Sequence, residues 1–115
     1  MTKKVDEYIN IMEDLGVTPH ESKILLFLKK EKNASSRVIE RGTFLRQPDV
    51  SLATNELNKR GWLEVNTVRL EGKGRPFNVY SFAKPFEKIM KEIITKAEKE
   101  IEKLENEINI LKQLT

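Results

Sequence analysis

The chain contains no cysteine and a single histidine, His20. These two scarcities remove several chemistries at once. Without thiols there is no disulfide, no thiolate metal site and no thiol nucleophile. One imidazole cannot build a histidine cluster or a Ser-His-Asp triad within a chain. His20 follows Pro19 in the first turn of an expected helix and reads as a surface residue rather than a ligand. Long apolar runs are also missing. No segment approaches the roughly 20 residues that span a bilayer, and the N-terminus carries no signal-peptide hydrophobic region. Paired carboxylates on a cleft motif, a phosphate loop and a nucleophile beside a base are likewise absent. The expectation is a soluble, cytoplasmic protein that is not an enzyme and that uses no cofactor, metal or membrane.

Charge is plentiful but unevenly spread. The net value is only +3. Residues 1–40 hold seven basic and seven acidic side chains, and residues 85–115 hold six and seven. Residues 41–84 hold eight basic side chains against four acidic. The excess therefore sits in the middle third, and a localised positive field points to a polyanion as partner.

Helical periodicity organises the first half. Val5, Tyr8, Ile9, Met12 and Leu15 fall at helical spacing, and Gly16 ends that segment. Thr18-Pro19-His20-Glu21 supplies a cap, a first-turn proline and a capping-box carboxylate. Ile24, Leu25, Phe27 and Leu28 form the buried side of the helix that follows. Ser35 or Ser36 can cap a short third helix around Val38 and Ile39, with Gly42 expected to stop it.

A connection containing Phe44 and Leu45 leads to a fourth helix, which Pro48 opens and Gly61 closes. On a helical wheel Val50, Ala53 and Leu57 share one narrow side. Pro48, Ser51, Leu52, Asn55 and Lys59 lie opposite, flanked by Gln47, Thr54 and Asn58. Amides and hydroxyls dominate that outer side, the groups that hydrogen-bond base edges and phosphates. Two helices joined by a few residues, the second polar on its outer side, match a helix-turn-helix.

After Gly61 the pattern turns extended. Trp62 to Leu70 and Phe77 to Phe82 read as two strands around Glu71-Gly72-Lys73-Gly74-Arg75-Pro76, a glycine-rich, cationic hairpin tip. That loop has no GKS/T and no helix behind it, so it is not a P-loop.

The segment Leu45 to Ala53, with Leu57 and Arg60-Gly61-Trp62, resembles winged-helix transcription regulators of the broad ArsR/MarR/TrmB type, particularly small archaeal ones. Gly72-Lys73-Gly74-Arg75-Pro76, with Tyr80 a few residues on, looks like the wing of those regulators. The resemblance covers roughly residues 18–84. It implies that Gln47, Ser51, Leu52 and Asn55 face the major groove and that Lys73 and Arg75 lie on the adjacent backbone or minor groove. Metal-sensing ArsR proteins use cysteines or clustered histidines. This chain has neither, so metal sensing is not carried over.

The last segment, Pro85 to Thr115, has no internal glycine or proline after its first residue. As a continuous helix it would run roughly 45 Å. Ile94, Ile101 and Ile108 fall at one heptad position, and Met90, Ala97, Leu104 and Leu111 at the other. That spacing suits a coiled coil, here a dimerisation helix. In a parallel pair Glu107 would meet the partner's Lys112, but Glu100 would meet Glu105. A parallel pair, an antiparallel pair, packing on the Lys3–Leu15 helix and folding back onto the domain all stay open. Ile89, Ile93, Ile110 and Leu114 lie outside the strict seam and hint at a wider buried face.

The expected architecture is mainly α with a β-hairpin wing (α+β): a winged helix-turn-helix over residues 1–84, followed by a long C-terminal helix over 85–115. The expected function is a sequence-specific regulator of transcription that binds double-stranded DNA as a homodimer on an inverted repeat. Arg46, Lys59, Arg69, Lys73 and Arg75 would serve phosphates. Gln47 and Asn55 suit adenine, Ser51 a base or phosphate, and Leu52 a thymine methyl. RNA is a further candidate partner, but the stacking aromatics it would need on an exposed sheet cannot be told by sequence from core Phe77 and Phe82. The competing class is a winged-helix adaptor between proteins, with the long helix as its contact surface.

Overall fold

A computed structural model describes residues 2–70 and 74–115. Helix α1 spans Thr2–Asp14, and the chain then turns at Gly16, whose φ of +98° suits glycine. Helix α2, Pro19–Glu31, starts with the capping box written in its sequence. The Thr18 hydroxyl accepts from the Glu21 N–H (3.2 Å), and the Glu21 carboxylate accepts from the Thr18 N–H (3.1 Å). Such a cap contributes on the order of 1 kcal/mol. Ile24, Leu25 and Leu28 of α2 are wholly buried and form the centre of the core, while Phe27 packs at its edge.

The short strand β1, Asn33–Ser35, follows and leads directly into α3, Ser36–Thr43, whose first turn is capped by the Ser35 hydroxyl accepting from the Val38 N–H. Helix α4 covers Gln47–Lys59, strand β2 Leu63–Val68 and strand β3 Phe77–Phe82. The three strands form one antiparallel sheet in the order β1-β3-β2, with Ala34 opposite Tyr80 and Leu63 opposite Phe82. Helix α5, Phe86–Lys112, ends the fold.

Several local expectations change. The segment after α2 carries β1, which pairs with the free edge of β3. Gly42 does not stop the third helix; it lies inside α3, where a Cβ would stand 2.0 Å from the Phe27 ring. Its role is close approach between α3 and α2. The helix ends instead at Phe44, which adopts the left-handed conformation (φ 60°, ψ 24°). Of the two apolar residues expected to anchor α3, Ile39 is buried and Val38 exposed. Thr54, placed by the helical wheel beside the outer side of α4, is buried and bonds its hydroxyl back to the Val50 carbonyl (2.8 Å).

Only the start of α5 belongs to the core, through buried Ile89 and Ile93. From Glu98 to Thr115 every residue is exposed. The helix therefore leaves the body as a rod, and the molecule measures 73 × 28 × 24 Å. Its radius of gyration is 18.0 Å, against roughly 13 Å for a compact chain of this length. No helix among the described residues is long and apolar enough to cross a membrane.

Candidate nucleic-acid interface

Helix α4 is seated by one face and displays the other. Val50, Ala53, Thr54 and Leu57 are buried, and Ile39 from α3 and Leu25 and Leu28 from α2 belong to the same apolar cluster. Arg46, Gln47, Ser51, Leu52, Asn55 and Lys59 are all exposed. Leu52 is 68 % exposed, a large apolar side chain in the middle of a polar surface. Lys59 approaches Glu56 at 3.7 Å, but both side chains are well solvated and the pair is weak.

The far end of α4 is fixed by a chain of polar contacts. The Arg60 guanidinium donates to the Gly16 carbonyl (3.1 Å) and to the buried carboxylate of Glu21 (3.3 Å). It also lies over the Trp62 ring, 4.8 Å from the centroid. The Trp62 indole in turn donates to Glu92 of α5 (2.9 Å), and Lys84 donates to the other oxygen of that carboxylate (2.6 Å). The Lys84 and Trp62 hydrogen bonds together hold the Glu92 carboxyl below its ordinary value of 4.5. Arg60, Trp62 and Glu92 thus join the end of α4 to the root of the rod.

The hairpin leaves α4 through Gly61, whose φ of +79° makes the turn possible. Arg69 and Arg75 are exposed beyond the paired part of the hairpin. Lys73, the third cation expected at the tip, lies outside the described residues, as do Glu71 and Gly72. The proposed contacts therefore occupy two elements: Arg46, Gln47, Ser51, Leu52, Asn55 and Lys59 on or beside α4, and Arg69 and Arg75 on the hairpin. Among the described residues no group of three or more His, Asp or Glu side chains comes together to hold a metal ion.

The expected dimerisation residues lie along the rod. Ile94, Ile101, Leu104, Ile108 and Leu111 are each more than half exposed, whereas Met90 and Ala97 are partly covered. Ile110 and Leu114, expected to widen a buried face, are exposed as well.

Sequence reasoning overlooked three positions. Arg60 and Glu92 act at long range in the chain, which no local pattern reveals. Phe44 is 93 % exposed, and a lone phenylalanine in a loop ordinarily reads as core.

Helix, tight turn, displayed helix and hairpin follow one another along the chain, and the whole superimposes on solved structures. A transcriptional regulator homologue from Pyrococcus horikoshii superimposes with a TM-score of 0.59 at 19 % identity, covering 88 % of this chain and 97 % of the other. A possible transcriptional regulator from Methanosarcina mazei gives 0.67 at 14 % identity, covering 94 % and 86 %. A MarR family transcription regulator gives 0.55 at 19 % identity, covering 90 % and 65 %.

The chain has a winged-helix fold.

No protein-family model and no curated protein matches its sequence. The likeness is one of shape, and at these identities it identifies the winged helix rather than any conserved contact. Within that fold α4 is the second helix of the helix-turn-helix and the β2–β3 hairpin is the wing.

Proposed function

We propose that this winged helix is a transcription regulator that binds double-stranded DNA sequence-specifically, as a homodimer. One observation carries the reading: the outer face of α4 is displayed to solvent and built from Gln47, Ser51, Asn55 and Lys59 around Leu52. A merely solvated helix gains nothing from amides and hydroxyls over Glu and Lys, whereas a major groove offers them partners. Gln47 and Asn55 take adenine edges, Ser51 a base or phosphate, and Leu52 a thymine methyl. Arg46, Lys59, Arg69, Lys73 and Arg75 neutralise phosphates and supply affinity without sequence information.

Residues 1–84 form the DNA-binding unit and residues 85–115 the dimerisation helix, rooted in the unit through Ile89 and Ile93. Met90, Ile94, Ala97, Ile101, Leu104, Ile108 and Leu111 line the seam between two copies. Two-fold symmetry then asks for an inverted repeat with half-site centres about 34 Å, or a multiple, apart. Selection of bound sequences from a random duplex pool tests this. An enriched inverted repeat is expected; no enrichment and no salt-sensitive binding would sink it.

The apolar stripe on α5 also suits an adaptor that joins other proteins. Sedimentation of the purified protein separates the two. A dimer that loses its mass ratio when the stripe is charged belongs to the regulator, and a stable monomer with a free stripe belongs to the adaptor.

A further inference from the structure

Phe44 sits in the turn of the helix-turn-helix with two unfavourable features at once. It is 93 % exposed, and its backbone is left-handed (φ 60°), a conformation that bulky side chains rarely take. Glycine at this point would relieve both. The turn is not loose. The Thr43 hydroxyl donates to the Ile39 carbonyl (2.6 Å) and accepts from the Leu45 N–H (3.4 Å), clamping the backbone on either side of Phe44. Ile39 is buried, and Leu45 packs against the core. The ring is therefore held out on a rigid support, and strain of this sort collects where a surface is used.

The surroundings favour DNA over an apolar protein partner. Arg41, on the last turn of α3, and Arg46, at the start of α4, flank Phe44 in sequence, and both are exposed. The acidic residues nearest in sequence, Glu40 and Asp49, are each partly covered. Two residues separate Phe44 from Gln47, so the Phe44 Cα lies within about 11 Å of the Cα of the first residue of α4. A helix entering a groove by its N-terminal half brings this turn to the groove edge, where sugars and thymine methyls are the apolar targets.

Resting on the reading of α4 as the recognition helix, we propose that Phe44 is a DNA-contacting, specificity-determining residue that packs its ring on a thymine methyl at the edge of the major groove. The rigid turn removes most of the ordering cost of presenting it. Arg41 and Arg46 hold the adjoining phosphates.

The test compares the wild-type chain with Phe44→Gly and Phe44→Ala on a duplex selected from the random pool. A series in which each thymine is replaced by deoxyuracil, which deletes only the methyl, completes it. Phe44→Gly should melt at the same temperature as the wild type or higher and bind about tenfold more weakly, the loss expected when most of one aromatic contact is removed. At one or two positions the uracil substitution should weaken the wild type and leave both variants unaffected. Wild-type affinity in Phe44→Gly would overturn the proposal. Equal uracil penalties in wild type and variants would also overturn it. If the wild type itself binds no duplex, the regulatory reading fails first, and that result is distinguishable from the other two.

Discussion

Helices α4 and α5 are both amphipathic and both leave one side uncovered, yet the two uncovered sides differ in kind. On α4 the free side is a patchwork of amides, hydroxyls and amines with Leu52 alone among them. On α5 it is a regular row of Ile94, Ile101, Leu104, Ile108 and Leu111 between charged flanks. A patchwork of hydrogen-bonding groups suits a target with fixed polar edges, whereas a periodic apolar row suits another helix of the same pitch. Exposure alone says little about a surface. The chemistry and spacing of what is exposed indicate the partner.

Charging the row should have the largest effect. Ile101→Asp with Leu104→Asp changes only exposed positions, so the fold should survive while the proposed dimer falls apart. Losing the second DNA-reading unit should cost roughly a hundredfold or more in affinity for an inverted repeat. Sedimentation and titration on the same duplex measure both halves of that prediction, and an unchanged mass would break the contrast between the helices.

On α4 the expected losses are smaller and depend on sequence. Asn55→Ala should cost about 2 kcal/mol on the best site and little on unrelated DNA. Arg75→Ala on the wing should instead weaken all duplexes alike and reduce the salt slope by about one. A titration series across salt concentrations and two sequences separates the two outcomes.

The packing of α3 on α2, which leads the chain into α4, can be probed without touching the outer face of α4. Gly42→Ala drives a methyl into the Phe27 ring and should lower stability by about 1–2 kcal/mol in chemical denaturation. Association through α5 should be unchanged by it. The smallest effect concerns the link between the helices. Because Glu92 is held below 4.5 in the folded protein, its contribution to stability is complete above that pH. It is lost as pH falls through the depressed value. Glu92→Gln should therefore lower the melting temperature slightly near neutrality, and the gap from wild type should close below pH 4.5.

How much of this was legible in the sequence varied with how local the cause is. The capping box at Thr18 and Glu21 and the turn at Gly61 are set by residues a few positions apart, and they stand as expected. Strand β1 could not be read from Asn33-Ala34-Ser35, because its extended form comes from pairing with β3 more than forty residues later. Gly42 reads as a helix stop in the sequence because glycine permits either a left-handed turn or a close approach, and only the position of Phe27 decides between them. Thr54 is polar in composition but satisfies its hydroxyl within its own helix, so it can be buried where the wheel put it near the outer side. On the candidate site, the exposed set on α4 followed from periodicity. The anchoring of Arg60 and the display of Phe44 depend on contacts and dihedrals that no short window contains.

The indole of Trp62 is the chain's sole tryptophan, and it is clasped between the Arg60 guanidinium and the Glu92 carboxylate. Any displacement of α5 relative to α4 must alter that clasp. The molecule thus carries its own unlabelled optical gauge: intrinsic emission, followed while duplex is added, would register any shift between α4 and α5 as it happens.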